Sequence, residues 1–137
     1  MVDLDRLERV LIRAALEERP VTYGQVLAFF GWKVTQITVG ALCRDLGRID
    51  ERHAGEGWPD LACLVVRKSD GLPGEGYFTS VRAAGDYAGP SIGPPAVSFI
   101  RARQSGATRW ARERAGPARS PLPDQRDAAM SAASRCR

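Results

Sequence analysis

The amino-acid sequence predicts an α+β fold in which three helices precede a β-hairpin and a further helix follows. Three observations predict it. Apolar residues recur at helical spacing in three successive segments before residue 50, an apolar β-branched run follows at 61–67, and a turn-rich stretch then leads into a second apolar run at 77–81. The chain has 137 residues, of which 44% are hydrophobic and 26% charged, so a single globular domain is expected.

The first predicted helix spans residues 3–18. Leu7, Leu11 and Ala14 recur there at intervals of three and four, which places them on one face. Pro20 ends the helix because proline lacks the amide hydrogen that a continuing helix needs.

Side-chain caps predict where the next two helices begin. The Thr22 hydroxyl can accept a hydrogen bond from the Gln25 amide while the Gln25 side chain reaches back to the Thr22 amide, so a short helix should start at Tyr23. Thr35 can cap a third helix that runs to about Ile49.

The third helix is predicted to be two-sided. Val39, Leu42, Leu46 and Ile49 fall on one stripe, which should face the core. The opposite side consists of small residues with two arginines at its rim, so that another backbone could approach it closely. Its members are Gln36, Ile37, Gly40, Ala41, Arg44, Gly47 and Arg48.

The segment after the third helix is predicted to form the hairpin. Residues 61–67 should be a buried strand, 68–76 a loop, and 77–81 the partner strand. Three helices followed by a hairpin is the order of a winged helix-turn-helix domain, with the third helix reading DNA and the hairpin as its wing. Arg67 and Lys68 at the tip of the wing could contact phosphates.

The winged-helix domain should occupy residues 1–83, and the composition changes after it. Residues 84–95 are a connector rich in glycine and proline, 96–115 could form an arginine-rich helix, and 116–137 are expected to be disordered because they contain almost no large apolar residues. Residues 1–83 hold 11 basic and 12 acidic side chains, a net charge of −1, whereas 84–137 hold 9 and 4, a net charge of +5. DNA binding by the first segment must therefore depend on a local patch.

The sequence gives no indication of a membrane span, a secretory leader, a metal or a cofactor. It has no apolar run of 18 residues, and the cysteines and the single histidine show no CxxC or HxxxH spacing. One of the three cysteines stays unpaired in any disulfide scheme, so we expect a reduced, cytoplasmic protein. His53 is interpreted as a surface histidine in a polar loop.

Residues 21–28 (VTYGQVLA), Gly31, residues 38–42 (TVGAL) and residues 62–71 (ACLVVRKSDG) resemble the C-terminal DNA-binding domain of alkylguanine-DNA alkyltransferases and alkyltransferase-like proteins. The resemblance covers roughly residues 5–78, a little over half of the chain. It implies a winged helix-turn-helix that enters the minor groove and flips out a base.

Several positions of that family carry over to this chain. Tyr23 stands where the family has a tyrosine beside the phosphate of the flipped nucleotide, and Gly40 and Ala41 match its small-residue face. The intercalating arginine of the family falls on Ile37, which could act as an apolar wedge. The Pro-Cys-His-Arg motif reads Ala62-Cys63-Leu64-Val65 here.

Cys63 therefore holds the position of the alkyl acceptor without the histidine that activates it, since Leu64 stands there instead. A thiol with no adjacent base or cation forms little thiolate, and buried cysteines commonly act as small hydrophobes. We interpret Cys63 as a core residue.

The leading hypothesis is a non-enzymatic protein that binds duplex DNA through its third helix and wing. The predicted contacts are Tyr23, Gln36, Ile37, Gly40, Ala41, Arg44, Arg48, Arg67 and Lys68. The alternative is a protein-protein interaction module with an arginine-rich tail, in which Ile37 would be the centre of an apolar patch. Alkyl transfer to Cys63 ranks third.

Overall fold

The computed structural model describes residues 3–115, and the disorder predicted for 116–137 lies outside them. The described chain folds into five helices and two short strands. In order these are α1 (Leu4–Leu16), β1 (Val21–Thr22), α2 (Tyr23–Phe29), α3 (Gln36–Gly55), one 3₁₀ turn (Ala62–Leu64), β2 (Val65–Val66), α4 (Glu75–Ala83) and α5 (Pro94–Ala115). The strands pair in parallel, with Val21 opposite Val65 and Thr22 opposite Val66.

The predicted helix starts are confirmed by the caps that set them. The Thr22 hydroxyl accepts from the Gln25 amide at 3.1 Å, and the Gln25 side chain accepts from the Thr22 amide at 2.9 Å. Thr35 caps α3, where the Thr38 hydroxyl completes the reciprocal bond at 2.9 Å. These bonds satisfy amides that have no partner inside the helix, which fixes where α2 and α3 begin.

The main core lies between α1, α3, the 3₁₀ turn and α5, which packs along α1. Its fully buried members include Leu7, Leu11, Leu42, Ile49, Leu61 and Leu64. The Thr108 hydroxyl of α5 donates to the Ala15 carbonyl at 2.7 Å, so the arginine-rich helix is fixed to the domain. A second core forms where α4 meets the start of α5, from Leu72, Phe78, Val81, Ala96 and Ile100.

The predicted α+β class is confirmed, but the predicted hairpin is wrong. Residues 77–81 lie in α4, and β2 pairs with β1. Phe78 and Val81 are three residues apart, so a helix turns both of them toward the second core. A strand would point them to opposite faces, because successive side chains of a strand alternate. Burial therefore overrides the strand preference of these aromatic and β-branched residues.

Residues 61–66 of the predicted strand are buried, yet only Val65–Val66 is strand, because the chain first makes a 3₁₀ turn. The segment after β2 is a tight loop closed by a hydrogen bond from the Gly71 amide to the Arg67 carbonyl at 2.9 Å. Among the described residues no strand follows this loop, so a two-stranded wing is not seen there.

The surface position expected for His53 is wrong. The third helix continues past Ile49 to Gly55, which carries His53 into the core, where its side chain is completely buried. Its Nδ1 lies 2.9 Å from the Pro59 carbonyl oxygen and its Nε2 lies 2.5 Å from Oε2 of Glu8. The polar residues around His53 led the sequence interpretation to a loop, but they form the exposed side of the last helical turns.

Candidate nucleic-acid interface and the adjoining cleft

The outward side of α3 is open along most of its length. Gln36, Arg44, Gly47 and Arg48 are exposed, and Ile37 in the first turn is 81% exposed. Gly40 is half-buried, and a Cβ atom built on it would meet only Nη1 of Arg44, at 4.0 Å. No described segment of the chain covers this face, so another molecule could approach its backbone.

Ala41 does not belong to this face, which corrects the prediction. It is 6% exposed and lies on the buried side of the helix with Leu42, Asp45 and Leu46. The buried arc of α3 is wider than the predicted stripe because α1 and the 3₁₀ turn both pack against it. The open face is correspondingly narrower.

The four predicted phosphate-binding cations differ in availability. Arg67 is held by Asp70, with Nη2 to Oδ2 at 2.8 Å and Nε to Oδ1 at 3.2 Å, and these bonds lower the pKa of the Asp70 carboxyl. Arg48 lies 3.9 Å from Asp45, at the limit of an ion pair. Arg44 and Lys68 take part in none of the ion pairs formed within residues 3–115.

Tyr23 links the loop after β2 to α3. Its hydroxyl accepts a hydrogen bond from the Gly74 amide at 3.0 Å and also interacts with the Cys43 thiol. Burial raises the pKa of Tyr23, so the side chain remains a neutral phenol that can both donate and accept. Tyr23 thus holds the loop against the helix, and its hydroxyl is already engaged.

A cleft of about 630 Å³ opens beside α3. It lies between that helix, the segment leading to the 3₁₀ turn, and α4. Its lining combines aromatic rings with carboxylates and arginines, including Tyr23, Arg44, Gly47, Asp50, Trp58, Asp60, Tyr77 and Arg103. Arg44 belongs both to the cleft and to the open face of α3, so the two surfaces are continuous.

Two carboxyl groups, those of Asp50 and Asp60, interact electrostatically within the cleft. Oδ1 of Asp50 accepts from the amides of Leu61 at 2.9 Å and Ala62 at 3.2 Å. Burial, reinforced by the charge of Asp60, raises the pKa of Asp50 to about 7. Near neutral pH this carboxyl is therefore protonated in part of the molecules and can act as either a donor or an acceptor.

Asp60 is bound on one side only. Its Oδ2 accepts from the Tyr77 hydroxyl at 2.9 Å and lies 3.4 Å from Nη1 of Arg103. Its Oδ1 is buried and has no hydrogen-bond partner among the described residues. Burial raises the pKa of Tyr77, so its hydroxyl keeps the proton that it donates to Asp60.

Cys63 is fully buried below the cleft and is not among the residues that line it. Its Sγ is 3.8 Å from the Asp60 carbonyl oxygen. Burial, together with the nearby charges of Asp60 and Asp50, raises the pKa of Cys63 well above that of a free thiol. The thiol is held in its unreactive protonated form.

The sequence interpretation missed the polar residues of the cleft and most of an exposed apolar patch. Asp50, Asp60, Tyr77 and Arg103 are far apart in sequence and come together only through packing. The apolar patch consists of Phe29, Trp32, Val34 and Ile37, all exposed around the turn between α2 and α3. The sequence does contain a signal for this patch, because the four large apolar residues fall within the nine-residue stretch 29–37, which includes a predicted turn.

Within residues 3–115 no group of histidine, cysteine, aspartate and glutamate side chains is arranged to hold a metal ion. The described helices also include none that combines the length and the apolar character of a membrane span. Comparison of the chain with protein-family models, with curated proteins and with solved structures finds no match.

Proposed function

We propose that this chain is a non-enzymatic DNA-binding protein that applies the open face of α3 to a duplex. The observation that carries the proposal is the uncovered face itself, on which Ile37 projects at one end and Arg44 and Arg48 follow. Apolar side chains act as wedges between base steps in minor-groove proteins, and arginines beside them bind phosphates. Gly40, between Ile37 and Arg44, lets the helix come close to the sugar-phosphate backbone.

The cleft supports base flipping as the mode of binding. The resemblance to alkyltransferase-like proteins implies that a base leaves the stack and enters a pocket beside the recognition helix. The cleft adjoins α3, and Tyr23, Trp58 and Tyr77 supply rings against which a base could stack. Its volume of about 630 Å³ lies within the range of small-molecule pockets, roughly 300–1,000 Å³.

The burial of Cys63 and the raised pKa of its thiol support a function that does not include alkyl transfer. Alkyl transfer would require its sulfur to attack as a thiolate, and the buried thiol beside two carboxyl groups resists deprotonation. Leu64, next to it, is equally buried and cannot act as a base. Recognition of DNA does not depend on either residue.

Replacing Arg44 and Arg48 together with alanine is expected to weaken duplex binding. Each phosphate contact contributes roughly 0.9 to the slope of log K against log salt concentration, so the double variant should lower that slope by about 1.8. Fluorescence anisotropy with a labelled duplex over a range of salt concentrations measures both quantities. The control is the double variant Arg9→Ala/Arg13→Ala, which removes the same charge from the exposed side of α1. Equal slopes for the two double variants would remove α3 from the interface.

A protein-interaction module is the second candidate, and the apolar patch of Phe29, Trp32, Val34 and Ile37 favours it. Exposed apolar groups gathered at one place commonly mark a docking surface for another protein. The near-neutral charge of residues 1–83 is consistent with such a partner. Ile37 belongs to both candidate surfaces, so its substitution can separate them.

Ile37→Arg is expected to preserve or strengthen duplex binding, because an arginine can insert into the groove and add a phosphate contact. Ile37→Asp should weaken it by at least about tenfold, since the carboxylate meets the phosphates. Both variants should fold normally, because Ile37 is so exposed, and circular dichroism checks this. If Ile37→Asp binds the duplex as tightly as the wild type, Ile37 lies outside the DNA interface and the DNA proposal fails.

A further inference from the structure

A second groove, of about 580 Å³, lies between α5 and the turn that joins α1 to β1. The exposed ring of Pro20 gives it an apolar part, and the exposed side of α5 forms its polar wall. The residues lining it include Glu18, Pro20, Arg101, Arg109, Arg112 and Glu113. None of them belongs to the open face of α3 or to the cleft beside it.

The polar wall repeats at helical spacing. Arg101, Ser105 and Arg109 are four residues apart, so they lie in a row along one side of α5. Eight residues of helix rise about 12 Å, which matches roughly three phosphates of a nucleic-acid strand. The row therefore has the length of a short piece of sugar-phosphate backbone.

The arginines of this row are free to bind a phosphate, whereas two neighbouring arginines of α5 are paired with carboxylates. Arg103 is bound to Asp86 at 2.8 Å, and Arg112 is bound to Glu18. Arg101 and Arg109 are exposed and take part in none of the hydrogen bonds and ion pairs formed within residues 3–115. A guanidinium that is free of carboxylates keeps its fork of donors for an incoming phosphate.

The groove is also held rigidly. The Gln104 side chain donates to the Cys63 carbonyl at 2.9 Å, and the Thr108 hydroxyl donates to the Ala15 carbonyl at 2.7 Å. These bonds fix α5 to the 3₁₀ turn and to α1 between Arg101 and Arg109. A ligand would meet a wall that is already formed, which lowers the entropy cost of binding.

We propose that this groove binds the phosphate backbone of a single nucleic-acid strand. The two arginines stand in a single row on one wall of the groove, which matches the phosphates of one strand. Proteins that bind single strands combine a cationic track with an apolar surface for the bases, and the exposed ring of Pro20 supplies that surface here. The proposal goes beyond duplex binding by α3 and shares no residue with it.

The test uses the full chain and a labelled oligothymidylate of about 12 nucleotides, with fluorescence anisotropy at low and moderate salt. Arg101→Gln/Arg109→Gln should lower the affinity by at least about tenfold and the salt slope by about 1.4, the value for two single-strand contacts. Glu113→Gln should raise the affinity because it removes a negative charge from the wall. The control, Arg9→Gln/Arg13→Gln, should bind like the wild type.

The outcomes separate this proposal from the one for α3. If the Arg101/Arg109 variant binds the oligothymidylate as well as the wild type, or the wild type does not bind it, the groove proposal is wrong, whatever the duplex result. If Arg44→Ala/Arg48→Ala weakens only duplex binding and Arg101→Gln/Arg109→Gln weakens oligothymidylate binding, both proposals hold. The last outcome concerns inorganic phosphate, added at constant ionic strength. If millimolar phosphate displaces the oligothymidylate completely, from the wild type and from Glu113→Gln alike, the groove binds the free ion and the strand proposal is wrong.

Discussion

Replacing His53 with alanine is expected to lower the free energy of unfolding by about 3 kcal/mol or more. The side chain is completely buried, so its loss leaves a cavity that the surrounding helices cannot fill. The Glu8 carboxylate and the Pro59 carbonyl would both lose the group that faces them, at 2.5 and 2.9 Å. Urea unfolding at neutral pH, followed by circular dichroism, measures the change.

The aromatic surroundings add to this expected loss. The His53 ring lies 5.2 Å from the ring of Trp58 and 4.9 Å from that of Trp110, measured between centroids. Alanine would remove both contacts, of which the one with Trp110 joins α3 to α5. Tryptophan fluorescence should shift to longer wavelength in the native variant, because water gains access to both indoles.

A matched control on the surface calibrates the result. Arg13 forms an exposed ion pair with Glu17 at 2.9 Å, and its side chain is 80% exposed. Exposed pairs of this kind contribute little, so Arg13→Ala should change the free energy of unfolding by less than about 0.5 kcal/mol. If His53→Ala falls in the same range as Arg13→Ala, the buried network does not hold the helices together.

The parts of the fold that local chemistry decides were predictable. The start of α2 depends on hydrogen bonds between Thr22 and Gln25, which are three residues apart, and the sequence displays both partners. The exposure of Ile37 and Arg44 follows from the same helical periodicity that buries Leu42 and Ile49. Such features need no knowledge of the rest of the chain.

The parts that depend on distant packing were not predictable. Residues 77–81 have the composition of a strand. They form a helix because a helix buries Phe78 and Val81 together against Leu72 and Ile100. His53 is buried by contacts with residues far away in the sequence, Glu8 at 45 residues earlier and Trp110 at 57 residues later. The cleft likewise brings together Asp50 of α3 and Arg103 of α5, and no residue spacing in the sequence predicts that they are close.

The pH dependence of stability offers the second large effect, and Asp50 is its source. Burial raises the pKa of this carboxyl from 3.8 to about 7 in the folded chain. The folded state therefore keeps a proton that the unfolded state releases between these two values. The stability due to protonated Asp50 is fully present below about pH 4 and is lost as the pH rises through about 7. Three pKa units correspond to at most about 4 kcal/mol.

Asp50→Asn should remove this dependence, because the amide is neutral at every pH and its oxygen can still accept from the Leu61 and Ala62 amides. The variant should gain stability relative to the wild type as the pH rises from about 5 to 8, by up to a few kcal/mol. Urea midpoints across this range measure the gain. Asp70→Asn is the control, because Arg67 lowers the pKa of Asp70 and its titration lies below the range.

The result bears directly on what the cleft can hold. A protonated Asp50 leaves a single formal carboxylate, Asp60, which Arg103 partly neutralises at 3.4 Å. Two ionised carboxylates would instead repel the phosphates that flank an extruded base. Parallel stability curves for wild type and Asp50→Asn would mean that Asp50 is ionised in the folded chain, and the base-binding role of the cleft would then be untenable.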